Sequence, residues 1–126
     1  MLEPRLAGRL VRAGFWGVAT LVFVLAVIPA PPSPPLLGWD KAQHFLAFYV
    51  LAILAAAAFP RRSLLAIGLP LSAYGAVIEL AQMLPFVHRD GDFWDWVADS
   101  LAIAAALAPL LVPRVRAWLR LGQPAD

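Results

Sequence analysis

The sequence predicts an all-α fold, a four-helix transmembrane bundle with both termini in the cytoplasm and a polar pocket opening to the outer face. Three observations predict it. Hydrophobic residues make up 62% of the 126 residues and charged residues only 14%, against about 45–50% and about 25% in soluble domains. Four apolar stretches reach the roughly 17–25 residues that a hydrocarbon-spanning helix needs. Eight of the ten Lys and Arg residues fall on one side of the resulting topology.

The mean hydropathy of +0.76 agrees. This composition argues against a soluble single-domain enzyme, a disordered tail and a disulfide-stapled scaffold. With no cysteine, there is no disulfide, no thiolate metal site and no Cys nucleophile. The length fits a single membrane domain, 1–126.

The first span runs from 11 to 28, between Arg12 and Pro29. Prolines at 29, 31 and 32 crowd any cleavage point, and the apolar run exceeds a usual signal core, so it reads as a transmembrane helix. The second span covers 40–59, before Pro60. The third covers 64–84, before Pro85, with Pro70 inside it as an expected kink. The fourth covers 93–112, before Pro113. Each following loop opens on proline, which lacks a backbone donor and disfavours helix at the residue before it.

Orientation follows from the basic flanks. Arg5, Arg9, Arg12, Arg61, Arg62, Arg114, Arg116 and Arg120 share one side, and only Lys41 and Arg89 lie on the other. The arginines mark the cytoplasmic face of a plasma (inner) membrane. They account for the pI of about 9.7, so no nucleic-acid partner is needed. The first outer loop, PAPPSPPLLGW, carries five prolines and reads as a stiff polyproline-like spacer. Trp39, Trp94, Trp96 and Trp118 sit near the expected interfaces, where indoles act as anchors.

Polar residues concentrate at the outer ends of three spans. The second opens Asp40-Lys41-Ala42-Gln43-His44, placing Asp40, Lys41 and His44 on roughly one face. The third ends with Glu79 and Gln82, three apart. His88, Arg89, Asp90 and Asp92 follow in the loop, and Asp92, Asp95 and Asp99 form one stripe at i, i+3 and i+7. At about 1.5 Å per residue, Glu79, Asp99 and His44 lie roughly 6–10 Å inside their helix ends. An ionisable group facing lipid costs about 2.5–3.5 kcal/mol on insertion scales. These groups therefore converge on the bundle interior, in a pocket walled by spans two, three and four.

Taken singly, most of them have plain structural readings. Asp40 and Asp92 suit helix caps, Lys41 an interface snorkeler, and Gln82 interhelical glue. Glu79 and Asp99 resist that reading because a lone acid at such depth is expensive. Five acids, Asp40, Glu79, Asp92, Asp95 and Asp99, face two bases, Lys41 and Arg89. A cation, a protonated His44 or a carboxyl that keeps its proton must balance them, with Asp99 the candidate for the last. His44, Glu79, Asp95 and Asp99 are the candidates for proton or cation handling and hence for catalysis. Asp40, Lys41, Gln82, Arg89 and Asp92 are the candidates for binding an anionic substrate group. A divalent cation held by His44, Glu79 and Asp95 or Asp99 is a weaker candidate, because no metal-ligand spacing such as HExxH supports it.

These residues also carry a family resemblance. Asp40-Lys41-x-x-His44, then Glu79-x-x-Gln82, then Arg89-x-x-Asp92-x-x-Asp95-x-x-x-Asp99, resembles the VanZ-like family of small integral membrane proteins over residues 40–105. Two positions depart: the family usually has Asn at position 99 and Gly at position 102, where this chain has Asp99 and Ala102. The resemblance implies a polytopic protein of the cell envelope, and the family's founding member is associated with teicoplanin resistance. With the pocket, it implies recognition or modification of a membrane lipid or a lipid-linked cell-wall precursor. The alternative is a structural partner subunit whose polar network only stabilises the bundle. Four short spans with one outer pocket argue against a transporter.

Overall fold

The computed structural model describes residues 3–29 and 39–120, without the side chains of Trp39, Asp40 and Arg120. The proline-rich part of the loop expected to be the first outer one lies outside the described residues. The chain is helical throughout, with no strand among the described residues. Helix α1 spans Pro4–Val27, α2 Trp39–Ala58, α3 Leu64–Gln82 and α4 Phe93–Leu107. A 3-10 turn, Ala108–Leu111, extends α4, and a short α5 covers Pro113–Arg120. Four helices are long and apolar enough to cross a membrane, by length and composition. The chain thus has the character of a multi-pass membrane protein.

Local chemistry sets the boundaries. Pro4 occupies the first turn of α1, where its missing N–H has no intrahelical partner to lose. The helix therefore starts seven residues before the apolar run at 11 and carries Arg5, Arg9 and Arg12 within it. Ser63 caps α3 by accepting from Ala66 N at 3.1 Å. Asp92 caps α4 by accepting from Trp94 N at 2.9 Å, and each cap satisfies a donor the helix leaves open. Helix α3 continues through Pro70.

Helix α2 makes its broadest contact with α4 and also packs on α1, α3 and α5. Its Phe48, Leu51 and Ala52 are fully buried, and Ile78 of α3 and Ala102 of α4 close around them. The outward faces are apolar too, with Leu65, Leu69, Leu80 and Leu101 exposed, as expected where hydrocarbon is the solvent. Helix α5 stands where the sequence suggests only a basic flank. Its Leu119 packs on the core, Arg116 donates to the Arg62 carbonyl and Trp118 stays exposed. Arginines with an exposed indole on a short helix suit a membrane interface.

Two glycines mark close approaches. A Cβ at Gly75 of α3 would lie 2.9 Å from Asp99 Oδ2 and 3.4 Å from the Phe48 ring. A Cβ at Gly91 would lie 2.6 Å from the Glu79 carbonyl oxygen and from Met83 Cγ. The Gly75→Ala variant is expected to lose about 1–3 kcal/mol through overpacking. A methyl group at Gly14 of α1 would meet nothing within 4 Å, so Gly14→Ala is expected to gain up to about 1 kcal/mol. Thermal melting of the three purified proteins in one detergent checks both signs.

Candidate functional site

The antiparallel order brings the end of α1, the start of α2, the end of α3 and the start of α4 to one end of the bundle. The opposite end carries the described arginines 5, 9, 12, 61, 62, 114 and 116, with Glu3 its one described acid. There Arg12 Nε donates to the Ala58 carbonyl at the end of α2, at 3.2 Å.

At the first end, three helices contribute to one cluster. Lys41 Nζ of α2 bridges Asp92 Oδ2 at 2.9 Å and Asp95 Oδ1 at 2.8 Å. Asp95 is 3% exposed at its side chain, whereas Lys41 is 48% exposed, so the ammonium reaches solvent while neutralising a buried acid. One turn deeper on α2, His44 sits among three carboxylates. Its Nδ1 lies 3.1 Å from Asp99 Oδ1 and 3.6 Å from Glu79 Oε1. Its Nε2 lies 3.9 Å from Asp95 Oδ2. Glu79 Oε2 accepts from the Asp92 backbone N–H at 2.9 Å. Glu79 Oε1 is buried without a hydrogen-bond partner. Asp95 and Asp99, one helical turn apart, are both buried, and this pairing locks the register of α4 against α2.

The expected site residues fall into three groups. Lys41, His44, Glu79, Asp92, Asp95 and Asp99 come together. Gln82 and Arg89 turn instead to the end of α1. Gln82 Nε2 donates to the Ala26 carbonyl at 3.0 Å, and Arg89 donates to the carbonyls of Ile28 and Leu25, each at 3.2 Å. Pro29 explains the need, since it has no N–H to offer the Leu25 carbonyl four residues back. A guanidinium at a helix C-terminus is also favoured by the helix dipole. Asp40 lies in the first turn of α2, and its side chain is outside the described residues.

Access also differs from the expectation of a pocket walled by spans two, three and four. A cleft of about 450 Å³ is bordered by Val22 and Leu25 of α1, His44 and Phe48 of α2, Gln82 of α3, and Arg89. It reaches His44 from the α1 side, while Asp95 and Asp99 are closed behind the imidazole. A separate apolar cleft of about 380 Å³, between Phe15, Phe59, Pro70 and Tyr74, lies toward the arginine end and touches none of the cluster. Trp96, expected as an interface anchor, donates its indole N–H to the Ser72 carbonyl at 3.0 Å and ties α4 to α3.

Among the described residues, His44, Glu79 and Asp99 can each offer one ligand atom with all three atoms within 4.8 Å of one another. Asp95 faces the other imidazole nitrogen. Gly75 and Gly91 are the site residues that sequence reasoning missed. Gly91 sits inside the Arg89–Asp92 motif, and its spacing was the available signal. His88 takes a left-handed backbone conformation at φ 52, uncommon for a residue with a Cβ.

No family model matches this sequence, and neither a curated protein nor a solved structure is similar enough to match.

Asp92 lies outside the membrane-spanning segments and titrates at the cluster's rim. The Lys41 ammonium first, and then the Trp94 N–H, hold its carboxyl below the ordinary aspartate value of 3.8. A depressed folded value stabilises the fold above the ordinary value, and that contribution is lost as pH falls through the folded one. Melting temperature is therefore expected to drop as the pH is lowered below about 4. In Asp92→Asn, which keeps a capping side chain, this part of the pH dependence should flatten. A melting series across pH on both proteins checks it.

Proposed function

We propose that the chain is a VanZ-like multi-pass protein of the plasma membrane that recognises or modifies the anionic head group of a lipid or lipid-linked cell-envelope component at the outer leaflet. Both termini lie in the cytoplasm, on the arginine-rich side. The cluster of Lys41, His44, Glu79, Asp92, Asp95 and Asp99 then faces outward, and the link to teicoplanin resistance follows from the family resemblance.

One observation carries this reading above a purely structural network. A network built only for stability would close on itself, as Lys41 does between Asp92 and Asp95. His44 instead borders a cleft, and the buried Glu79 Oε1, 3.6 Å from its Nδ1, accepts no hydrogen bond. The cleft's walls suit an acyl chain, with Val22, Leu25 and Phe48 beside the polar mouth of His44, Gln82 and Arg89. Arg89 holds backbone carbonyls through Nε and one terminal nitrogen, which fixes its guanidinium at that mouth.

Orientation is checked by labelling, since the chain has no native cysteine. In intact cells Asp90→Cys is expected to react with a membrane-impermeant maleimide, and Ala117→Cys only after the membrane is opened. The opposite pattern overturns the proposed sidedness.

Ala47 borders the cleft and bonds to no member of the cluster. Ala47→Phe is expected to fill the cleft. Native mass spectrometry of the purified full chain should show a phosphate-bearing lipid retained by the wild type and depleted several-fold in Ala47→Phe, with melting temperature unchanged. Equal retention by both proteins would favour the structural-subunit reading.

A further inference from the structure

The cluster carries more negative charge than its side chains neutralise. Glu79, Asp92, Asp95 and Asp99 face Lys41 and His44, because Arg89 is turned to the carbonyls of α1. Even a charged imidazole leaves two cations against four carboxylates, and Asp95 and Asp99 are buried in an apolar bundle.

The geometry around His44 says where the missing charge belongs. Its Nδ1 stands 3.1 Å from Asp99 Oδ1 and 3.6 Å from Glu79 Oε1. Two ligand atoms bound at about 2.0–2.2 Å to one ion stand roughly 3.0–3.5 Å apart. Glu79 supplies an independent sign. Its side chain is 9% exposed, Oε1 accepts no hydrogen bond, and His44, Glu79 and Asp99 each offer a ligand atom within 4.8 Å of the other two, so a bound ion draws them slightly closer. The other oxygen of Glu79 is oriented from outside, Oε2 accepting from the Asp92 N–H at 2.9 Å, while Asp95 Oδ2 lies 3.9 Å from His44 Nε2 as a nearby charge and not a hydrogen-bond partner. A donor of the kind that holds Glu79 fixes ligand orientation in metal centres.

We infer that His44, Glu79 and Asp99 bind one divalent transition-metal ion, of the Zn2+ or Mn2+ type, through the imidazole Nδ1 and one oxygen of each carboxylate. One imidazole and two carboxylates suit these ions, and no thiolate is present to select a softer one. Three protein ligands leave a position open. His44 borders the cleft, so an anionic oxygen that reaches that position from the cleft, such as one of a lipid phosphate, passes the edge of the imidazole. Only this last step rests on the function proposed above.

The test uses the full chain in lipid nanodiscs, stripped with a chelator and then titrated separately with Zn2+ and Mn2+. Bound metal is counted by elemental mass spectrometry, and Co2+ substitution reports ligand geometry by its visible absorption. The expected result is about one ion per chain and a melting temperature that rises with ion concentration. Glu79→Gln, which keeps the side-chain shape, should weaken binding by at least about tenfold and abolish the Co2+ spectrum, and His44→Asn should do the same. Gln43→Ala, on the same helix but outside the ligand set, should bind as the wild type does. Substoichiometric retention of both ions by the wild type overturns the inference. So does unchanged affinity in whichever of Glu79→Gln and His44→Asn melts cooperatively. Lipid retention without metal would remove the metal and leave the head-group reading standing. Metal bound equally by wild type and Ala47→Phe, with lipid absent from both, would do the reverse.

Discussion

The burial of two carboxylates on one apolar helix is the constraint on which the bundle depends. Asp95 and Asp99 have almost no exposure, and α4 offers them no cation of its own. Their partners must come from a neighbouring helix at matching depth, and α2 supplies Lys41 and His44 one turn apart. Sliding α2 past α4 by one turn would leave a buried acid unpartnered, and breaking such a pair is far more costly than never building it. The broad α2–α4 contact is thus held in a single register by charge, in a setting where apolar packing alone discriminates weakly between registers.

The close approach this requires is made by small residues. Gly75 gives Asp99 room against α3, and Ala52 and Ala102 are fully buried between α2 and α4. Gly91 lets the α3–α4 loop lie against the Glu79 carbonyl, which brings the Asp92 N–H onto the Glu79 side chain. The loop therefore holds the cluster's geometry through its backbone as well as through its charges.

The four long apolar helices and the cluster were legible in the sequence because both depend on local pattern. Apolar runs ended by proline mark helices, and acids at helical spacing inside them can only face inward. What tertiary contacts decide was not legible. Arg89 looks like a head-group or carboxylate partner until the Leu25 carbonyl, left without a donor by Pro29, is placed beside it. Gly75 looks like any membrane-helix glycine until Asp99 arrives opposite. Helix α5 is eight residues long, too short to hold itself together, and it depends on Leu119 and the Arg62 carbonyl for its place. The start of α1 was hidden for another reason, since Arg5, Arg9 and Arg12 read as flanking charge although the helix runs through them.

The two sides of the bundle are joined by different forces, and this explains where the cleft lies. Helix α4 is tied to α2 by ion pairs and buried side chains. Helix α1 is packed through Phe15 and Ala19 toward the arginine end, while toward the cluster its carbonyls accept from Gln82 and Arg89 and it offers the cluster no side chain. A helix end held by its carbonyls needs less side-chain fit there, and the cleft opens between Val22 and Leu25 on one side and Phe48 and Ile78 on the other. The imidazole of His44 stands where that gap meets the carboxylates. It is the one member of the deep cluster that borders both this cleft and the buried acids, and whatever the cleft admits meets His44 first.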